Sequence, residues 1–119
     1  MKATAAACLL TALSFVTPAF AGPGQLAYDG AWSLNFVTQR GACTSYNFNV
    51  NIANGTVSHP NLVRFRGRVA AGGHVRASVI VQDKFAAGSG LLSGSSGRGT
   101  WTGRDSSSRC SGYWTAQKL

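Results

Sequence analysis

Residues 46–58 read YNFNVNIANGTVS, and this stretch decides the fold. Apolar side chains alternate with asparagines from Tyr46 to Ile52, which is the period-two pattern of a strand with one buried face. The dipeptide Asn54-Gly55 follows, and type I′ hairpins favour it because both positions tolerate positive φ. Val57 then continues the alternation between two hydroxyl residues. The stretch therefore predicts a β-hairpin, and the remaining sequence is interpreted outward from it.

The same alternation recurs along most of the chain, and turn-forming residues separate its runs. No segment after residue 27 shows the 3.6-residue period of an amphipathic helix. The third strand is short because Pro60, which cannot donate to a ladder, follows it closely. The sequence therefore predicts an all-β fold, an antiparallel meander of about eight strands at residues 32–36, 46–52, 56–58, 63–69, 75–81, 85–92, 98–103 and 110–117.

The first 21 residues have the organisation of a secretory signal peptide. Lys2 supplies the positive charge, residues 5–16 form an apolar run, and Ala19-Phe20-Ala21 matches the small-x-small cleavage pattern. The apolar run is too short to span a bilayer about 30 Å thick. We therefore expect cleavage after Ala21, a periplasmic or secreted protein, and one small β-barrel domain over residues 22–119 with no transmembrane segment.

Cleavage would leave two of the three cysteines, Cys43 and Cys110, and an even pair in an exported domain predicts one disulfide. Cys43 follows the first predicted strand, and Cys110 opens the last one. In a meander, these two positions lie at the same end of the sheet only if the strand count is even. A bridge requires Cα atoms within about 7 Å. The pair therefore favours eight strands in a closed or nearly closed barrel.

The composition argues against catalysis. The chain has 11 Lys and Arg residues against three acidic residues, all Asp, and a formal net charge of +8. Asp29, Asp83 and Asp105 fall at predicted turns, where Asp is a routine turn former. The two histidines are far apart in the sequence, so they form a poor metal-binding set. We expect no enzymatic activity, no cofactor and no metal site.

A tripeptide motif, G-x-W followed by Ser or Thr, occurs three times and contains all three tryptophans. Residues two apart share a face of a strand, so each glycine lies on the same side as its tryptophan and leaves room for a neighbouring indole. Two interpretations remain open for Trp32, Trp101 and Trp114. They plug a barrel core, or they line a ligand pocket.

Arginines alternate with apolar residues in the fourth predicted strand, so Arg64, Arg66 and Arg68 project from its outer face. If residues 70–74 form the turn, Arg68 lies opposite Arg76 on the next strand, and like charges in that position repel. These four arginines form either a solvated face or a site for an anionic glycan, lipopolysaccharide or another polyanion. Nucleic acid is not expected, because aromatic residues do not interleave with the arginines on the outer face and the protein is expected to be exported. We expect a monomer.

Two resemblances follow from these motifs. The first-strand G-x-W and the eight-strand meander resemble the lipocalin and avidin-like (calycin) barrels. Over residues 28–117 the chain is similar to a family of small exported β-rich proteins of alphaproteobacteria. The resemblance implies the fold and the compartment. It rests on YDGAWS at 28–33, QRGAC at 39–43, SGLLSG at 89–94, GRGTW at 97–101 and CSGYWTA at 110–116.

Three classes of function remain. The first is an exported binding protein whose site is either the arginine-rich sheet face or, as in a lipocalin, an apolar barrel interior. The second is a structural or envelope-associated protein with no small ligand, and the third is an enzyme. We expect the first, a small non-enzymatic barrel protein.

Overall fold

The computed structural model describes residues 27–62 and 64–119, so the predicted signal peptide and Val63 lie outside the described residues. The described chain is all β. Its eight strands are β1 (Gly30–Arg40), β2 (Tyr46–Ala53), β3 (Thr56–Ser58), β4 (Phe65–Val69), β5 (His74–Val81), β6 (Lys84–Ser93), β7 (Ser96–Arg104) and β8 (Arg109–Lys118).

The strands close into a barrel. Each strand pairs antiparallel with the next one in the chain, and β8 pairs with β1 to complete the ring. A disulfide joins Cys43 to Cys110 across a Cα–Cα distance of 6.0 Å. The predicted fold class, strand number and disulfide are all confirmed. Closure gives every strand a partner on both sides, although β3 is so short that it pairs only with residues 51–53 of β2 and 67–68 of β4. Most of the backbone edge is thus covered, which limits the edge-to-edge route by which β-proteins aggregate.

The hairpin that decided the prediction forms as expected. Asn54 and Gly55 have φ angles of +51° and +80°, as a type I′ turn requires. A second two-residue connection, Gln82-Asp83, joins β5 to β6, and Gln82 has a φ of +57°.

The connection before β4 differs from the prediction. The amide of Leu62 donates to the carbonyl of His59, and that of Phe65 donates to the carbonyl of Leu62. These local turns around Pro60 engage the backbone, so β4 begins at Phe65 instead of residue 63. Arg64 therefore lies in the turn that precedes the strand.

Two of the three G-x-W motifs pack reciprocally. β7 and β8 run antiparallel, and their register places Gly99 opposite Trp114 and Trp101 opposite Gly112. A Cβ on Gly99 would lie 2.5 Å from the Trp114 indole. Each glycine thus makes room for the tryptophan of the neighbouring motif, which is the role predicted for these glycines. Gly30 differs: its φ is +129°, and the side chain nearest to it is that of Lys118.

The two ends of the barrel are built differently. At one end, called the closed end, the Tyr28 hydroxyl donates to the Leu92 carbonyl at 3.2 Å, and the Tyr28 ring lies 6.4 Å from that of Trp32. Trp32 and Val69 are almost completely buried there, with 1% and 2% exposure. The opposite end, called the open end, carries the connections at residues 41–45, 59–64, 82–83 and 105–108.

Candidate functional site

The barrel interior is not completely filled. A cavity of about 430 Å³ lies among the inward-facing side chains, and residues 42–44 and Asp105 border it at the open end. Apolar side chains from all eight strands supply most of its wall. They include Trp32, Leu34, Phe36, Phe48, Val50, Ile52, Val57, Phe65, Val75, Ala77, Val79, Ala86, Leu92, Trp101, Trp114 and Ala116.

An aromatic cluster forms one side of this wall. The rings of Phe36 and Phe48 stack with centroids 5.3 Å apart, and Phe65 meets Phe48 edge-to-face at 6.4 Å. Trp101 meets Phe36 edge-to-face at 6.2 Å. Such mutually packed rings have few alternative rotamers, so this part of the wall is pre-formed.

The three tryptophans all line the cavity, and their polar atoms are already engaged. The indole N–H of Trp32 donates to the Tyr28 carbonyl at 2.8 Å. Those of Trp101 and Trp114 donate to the carbonyls of Val37 and Ser89 at 3.2 and 3.3 Å. Because each indole N–H is held by the backbone, the rings contribute apolar surface to the cavity. The two interpretations of the G-x-W motifs therefore describe the same side chains, which are both core and cavity wall.

The open end is held in place by covalent and hydrogen bonds. The disulfide ties Cys43 to the start of β8, and the amide of Ala42 donates to the Ser108 hydroxyl at 3.2 Å. Asp105 accepts the amides of Ser107 and Ser108 at 2.9 and 2.8 Å, which lowers the pKa of its carboxyl. The disulfide and these hydrogen bonds thus fix the positions of the residues around the cavity entrance.

Charged side chains border the cavity only near the open end in the part of the chain that the structure describes. They are Lys84, Arg104 and Asp105. The Arg104 guanidinium lies 5.8 Å from the centroid of the Phe85 ring, a cation–π contact on the rim. The deeper wall is apolar, so the site favours a molecule whose apolar part enters first.

The structure brings together three of the four arginines predicted for the outer face. Arg66, Arg68 and Arg76 are exposed and line one shallow groove, and Arg68 is the direct cross-strand partner of Arg76, as predicted. Arg64 is exposed in the turn before β4 and does not border that groove. Arg66 faces Ser78 across the strand pair.

Sequence reasoning missed several residues of these sites. Tyr28 closes one end of the barrel, although it precedes the first predicted strand. Arg98 and Tyr113 lie on the outer surface beside Arg76, where a second groove adjoins the first. The signal that locates Arg98 is the short turn between β6 and β7, which sets Arg98 opposite Leu91. The alternation of Phe48 and Phe65 with polar residues does place both of them inside.

Two further features bear on the described residues, 27–62 and 64–119. No group of three His, Cys, Asp or Glu residues lies close enough together to hold a metal ion. None of the described helical residues belongs to a helix long and apolar enough to cross a membrane. No protein-family model, curated protein or solved structure matched the chain.

Proposed function

We propose that this protein is an exported, non-enzymatic binding protein that holds a small, predominantly apolar molecule inside its barrel. The observation that carries the proposal is the cavity of about 430 Å³, lined by apolar side chains and open at one end. Ligand pockets in proteins are typically about 300–1,000 Å³ and have mostly apolar walls with a few polar groups.

The rigidity of the cavity favours binding. A pre-formed site avoids much of the conformational entropy cost of ordering side chains around a ligand. Here the stacked phenylalanines and the hydrogen-bonded indoles already hold their positions. An apolar molecule in the cavity would bury its surface against carbon atoms, which contributes about 25 cal/mol per Å² of apolar surface removed from water.

The proposal includes export to an oxidising compartment and a binding role without catalysis. A disulfide that closes a 67-residue loop supports an oxidising compartment, which agrees with the predicted export signal. The scarcity of acidic residues supports a binding role over an enzymatic one. Asp105 is committed to loop hydrogen bonds instead of being free for chemistry.

Titration with N-phenyl-1-naphthylamine tests the proposal. This neutral apolar dye fluoresces more strongly in an apolar site from which water is excluded, so its fluorescence measures binding. The dye carries no charge, so the outer arginines have no ionic partner in it. Ala86 lies on the cavity wall, and Ala31 is exposed on the outer surface of β1. Ala86→Leu adds three carbons inside the barrel, and Ala31→Leu adds the same three outside.

We expect saturable dye binding by the wild-type protein and by Ala31→Leu. The Ala86→Leu variant should bind the dye about tenfold more weakly, because the added carbons and the dye compete for the same part of the cavity. Overpacking of this kind costs about 1–3 kcal/mol. Thermal unfolding of both variants verifies that they fold. No saturable binding by the wild-type protein, or equal affinities for the two variants, would reject the cavity as a ligand site and favour a structural role.

A further inference from the structure

We propose a second binding site, on the outside of the barrel, that takes an acidic polysaccharide chain. It lies across β4 to β8 and is called the outer groove. It does not depend on what the interior binds. Its outward-facing residues are Arg66, Arg68, His74, Arg76, Ser78, Ala87, Ser89, Leu91, Arg98, Thr100, Thr102, Tyr113 and Thr115.

The positive charge of the outer groove is uncompensated by nearby carboxylates. Arg68 and Arg76 are direct cross-strand partners, and like charges opposite each other in a sheet repel. Asp29 accepts the Asn54 amide at 2.8 Å, and Asp105 holds the loop at residues 105–108 at the open end. Asp83 lies in the turn at that same end. The three carboxylates are thus placed elsewhere, and an anion in the outer groove would relieve the repulsion.

The surface between the arginines has the shape of a shallow channel. The cross-strand partners Arg76, Ser89, Thr100 and Tyr113 form a row from β5 to β8. The middle two side chains of this row are small, so they form a shallow floor. Two adjoining depressions share Arg76, Ser89 and Thr100, which makes the groove continuous.

Positive charge continues across this floor. Arg98 is exposed on the far side of the groove, on β7, and borders the same depression as Arg76. The groove spans five strands, or four inter-strand steps of about 4.8 Å each, so it is about 19 Å long. The arginines lie on β4, β5 and β7, so they are distributed over three of these steps, about 14 Å. A single phosphate cannot contact all of them, but a chain with repeated negative charges can.

The chemistry of the lining indicates which polyanion fits. The arginine guanidinium is planar and can donate two parallel hydrogen bonds to one carboxylate or sulfate group. The hydroxyls of Ser89 and Thr100 can exchange hydrogen bonds with sugar hydroxyls. Tyr113 is 40% exposed and offers one apolar ring face with a polar tip. A single-stranded nucleic acid would need several exposed rings for base stacking. Four arginines, several hydroxyls and one phenol ring together favour an acidic polysaccharide.

Binding of the full exported chain to immobilised polygalacturonate tests the proposal, with neutral dextran as the uncharged comparison. The Arg68→Gln/Arg76→Gln double variant removes two charges from the outer groove. The matched control, Arg40→Gln/Arg109→Gln, removes two exposed arginines at the open end. Arg98→Gln tests the far side of the groove separately.

We expect polygalacturonate to bind more tightly than dextran, with an affinity that falls as salt rises. Arg68→Gln/Arg76→Gln should weaken binding about tenfold, the sum of several exposed ion pairs, and the control pair less than about twofold. Arg98→Gln should also weaken it measurably. The groove variant should unfold at the same temperature as the wild-type protein or higher, since it removes a repulsion.

Three outcomes would overturn the proposal. One is binding to dextran as tight as to polygalacturonate. Another is an equal loss in the groove and control variants, which indicates diffuse attraction to net positive charge. The third is tighter binding to anionic phospholipid vesicles or to single-stranded DNA than to polygalacturonate, which assigns the arginines to a different class of partner.

Discussion

Gly112→Ala should destabilise the barrel at the seam between β1 and β8. Gly112 pairs with Thr38 on β1 and with Trp101 on β7, so it lies where the first and last strands meet. A Cβ at this position would overlap the Val37 carbonyl oxygen. It would also lie 2.9 Å from the Val37 carbonyl carbon and 3.0 Å from Nε1 of Trp101, so the seam must open to admit it.

The expected magnitude combines three effects. Overpacking of a filled site costs about 1–3 kcal/mol. The displaced Val37 carbonyl also accepts the Trp101 indole N–H at 3.2 Å, and losing one hydrogen bond costs about 0.5–1.5 kcal/mol. Replacing glycine with alanine also lowers the conformational entropy of the unfolded chain, which raises the free energy of unfolding by about 0.4–1 kcal/mol. The free energy of unfolding should therefore fall by about 2 kcal/mol, a decrease of about 8–16 °C in Tm for a domain of this size.

Gly72→Ala is the matched control for the same chemical change. Gly72 lies in the exposed connection between β4 and β5, and the nearest atom to its added Cβ would be His74 Cδ2 at 3.8 Å. Its backbone is not in the positive-φ region. We expect this variant to be as stable as the wild-type protein or up to about 1 kcal/mol more stable. Differential scanning calorimetry measures the Tm of both variants against that of the wild-type protein. A Gly112→Ala protein that unfolds within 2 °C of the wild type, or equal losses in both variants, would refute the close packing of the seam.

Two further predictions concern the open end. Replacing Cys43 and Cys110 with serine should lower the free energy of unfolding by about 4.4 kcal/mol, the chain-entropy value for a 67-residue loop; an unchanged urea midpoint would contradict this. Hydrogen bonds from the Ser107 and Ser108 amides lower the pKa of Asp105, so its stabilising effect is present above the unfolded-state pKa and lost as pH falls through the folded-state pKa. An NMR titration should place the midpoint of the Asp105 carboxyl below that of an ordinary aspartate, and an ordinary midpoint would contradict the loop geometry. The Asp105→Ala variant should be less stable than the wild-type protein at pH 7 but not at strongly acidic pH.

Much of the fold could be predicted because alternation and turn chemistry act locally. Residues 46–58 carry both signals, and the resulting hairpin has the predicted backbone angles. The pairing of Arg68 with Arg76 could be predicted because a short turn sets the register of its two strands. The disulfide tied the first strand to the last, which local patterns alone could not do.

The cavity could not be predicted because its volume depends on how side chains from distant strands share the interior. The G-x-W spacing indicated that glycines admit indoles, but not whether the indoles meet at the centre. Trp114 lies against the backbone of Gly90 and Gly99, with less than 3 Å to an added Cβ at either glycine. A ring held so close to the wall leaves the centre of the barrel open. The outer groove was also missed in part, because Arg98 comes from a strand outside the arginine-rich hairpin.

The central claim is that an apolar molecule enters the barrel, and the two isoleucines of the chain test it directly. Ile52 is buried on the cavity wall, whereas Ile80 is 40% exposed on the outer surface. Selective ¹³C labelling of the δ1 methyl group of isoleucine would give one signal from each position. With N-phenyl-1-naphthylamine added, we predict saturable shifts and nuclear Overhauser contacts between the dye and the Ile52 methyl, with the Ile80 methyl unchanged. Contacts to Ile80 alone, or an Ile52 signal that does not respond to the dye, would contradict the claim.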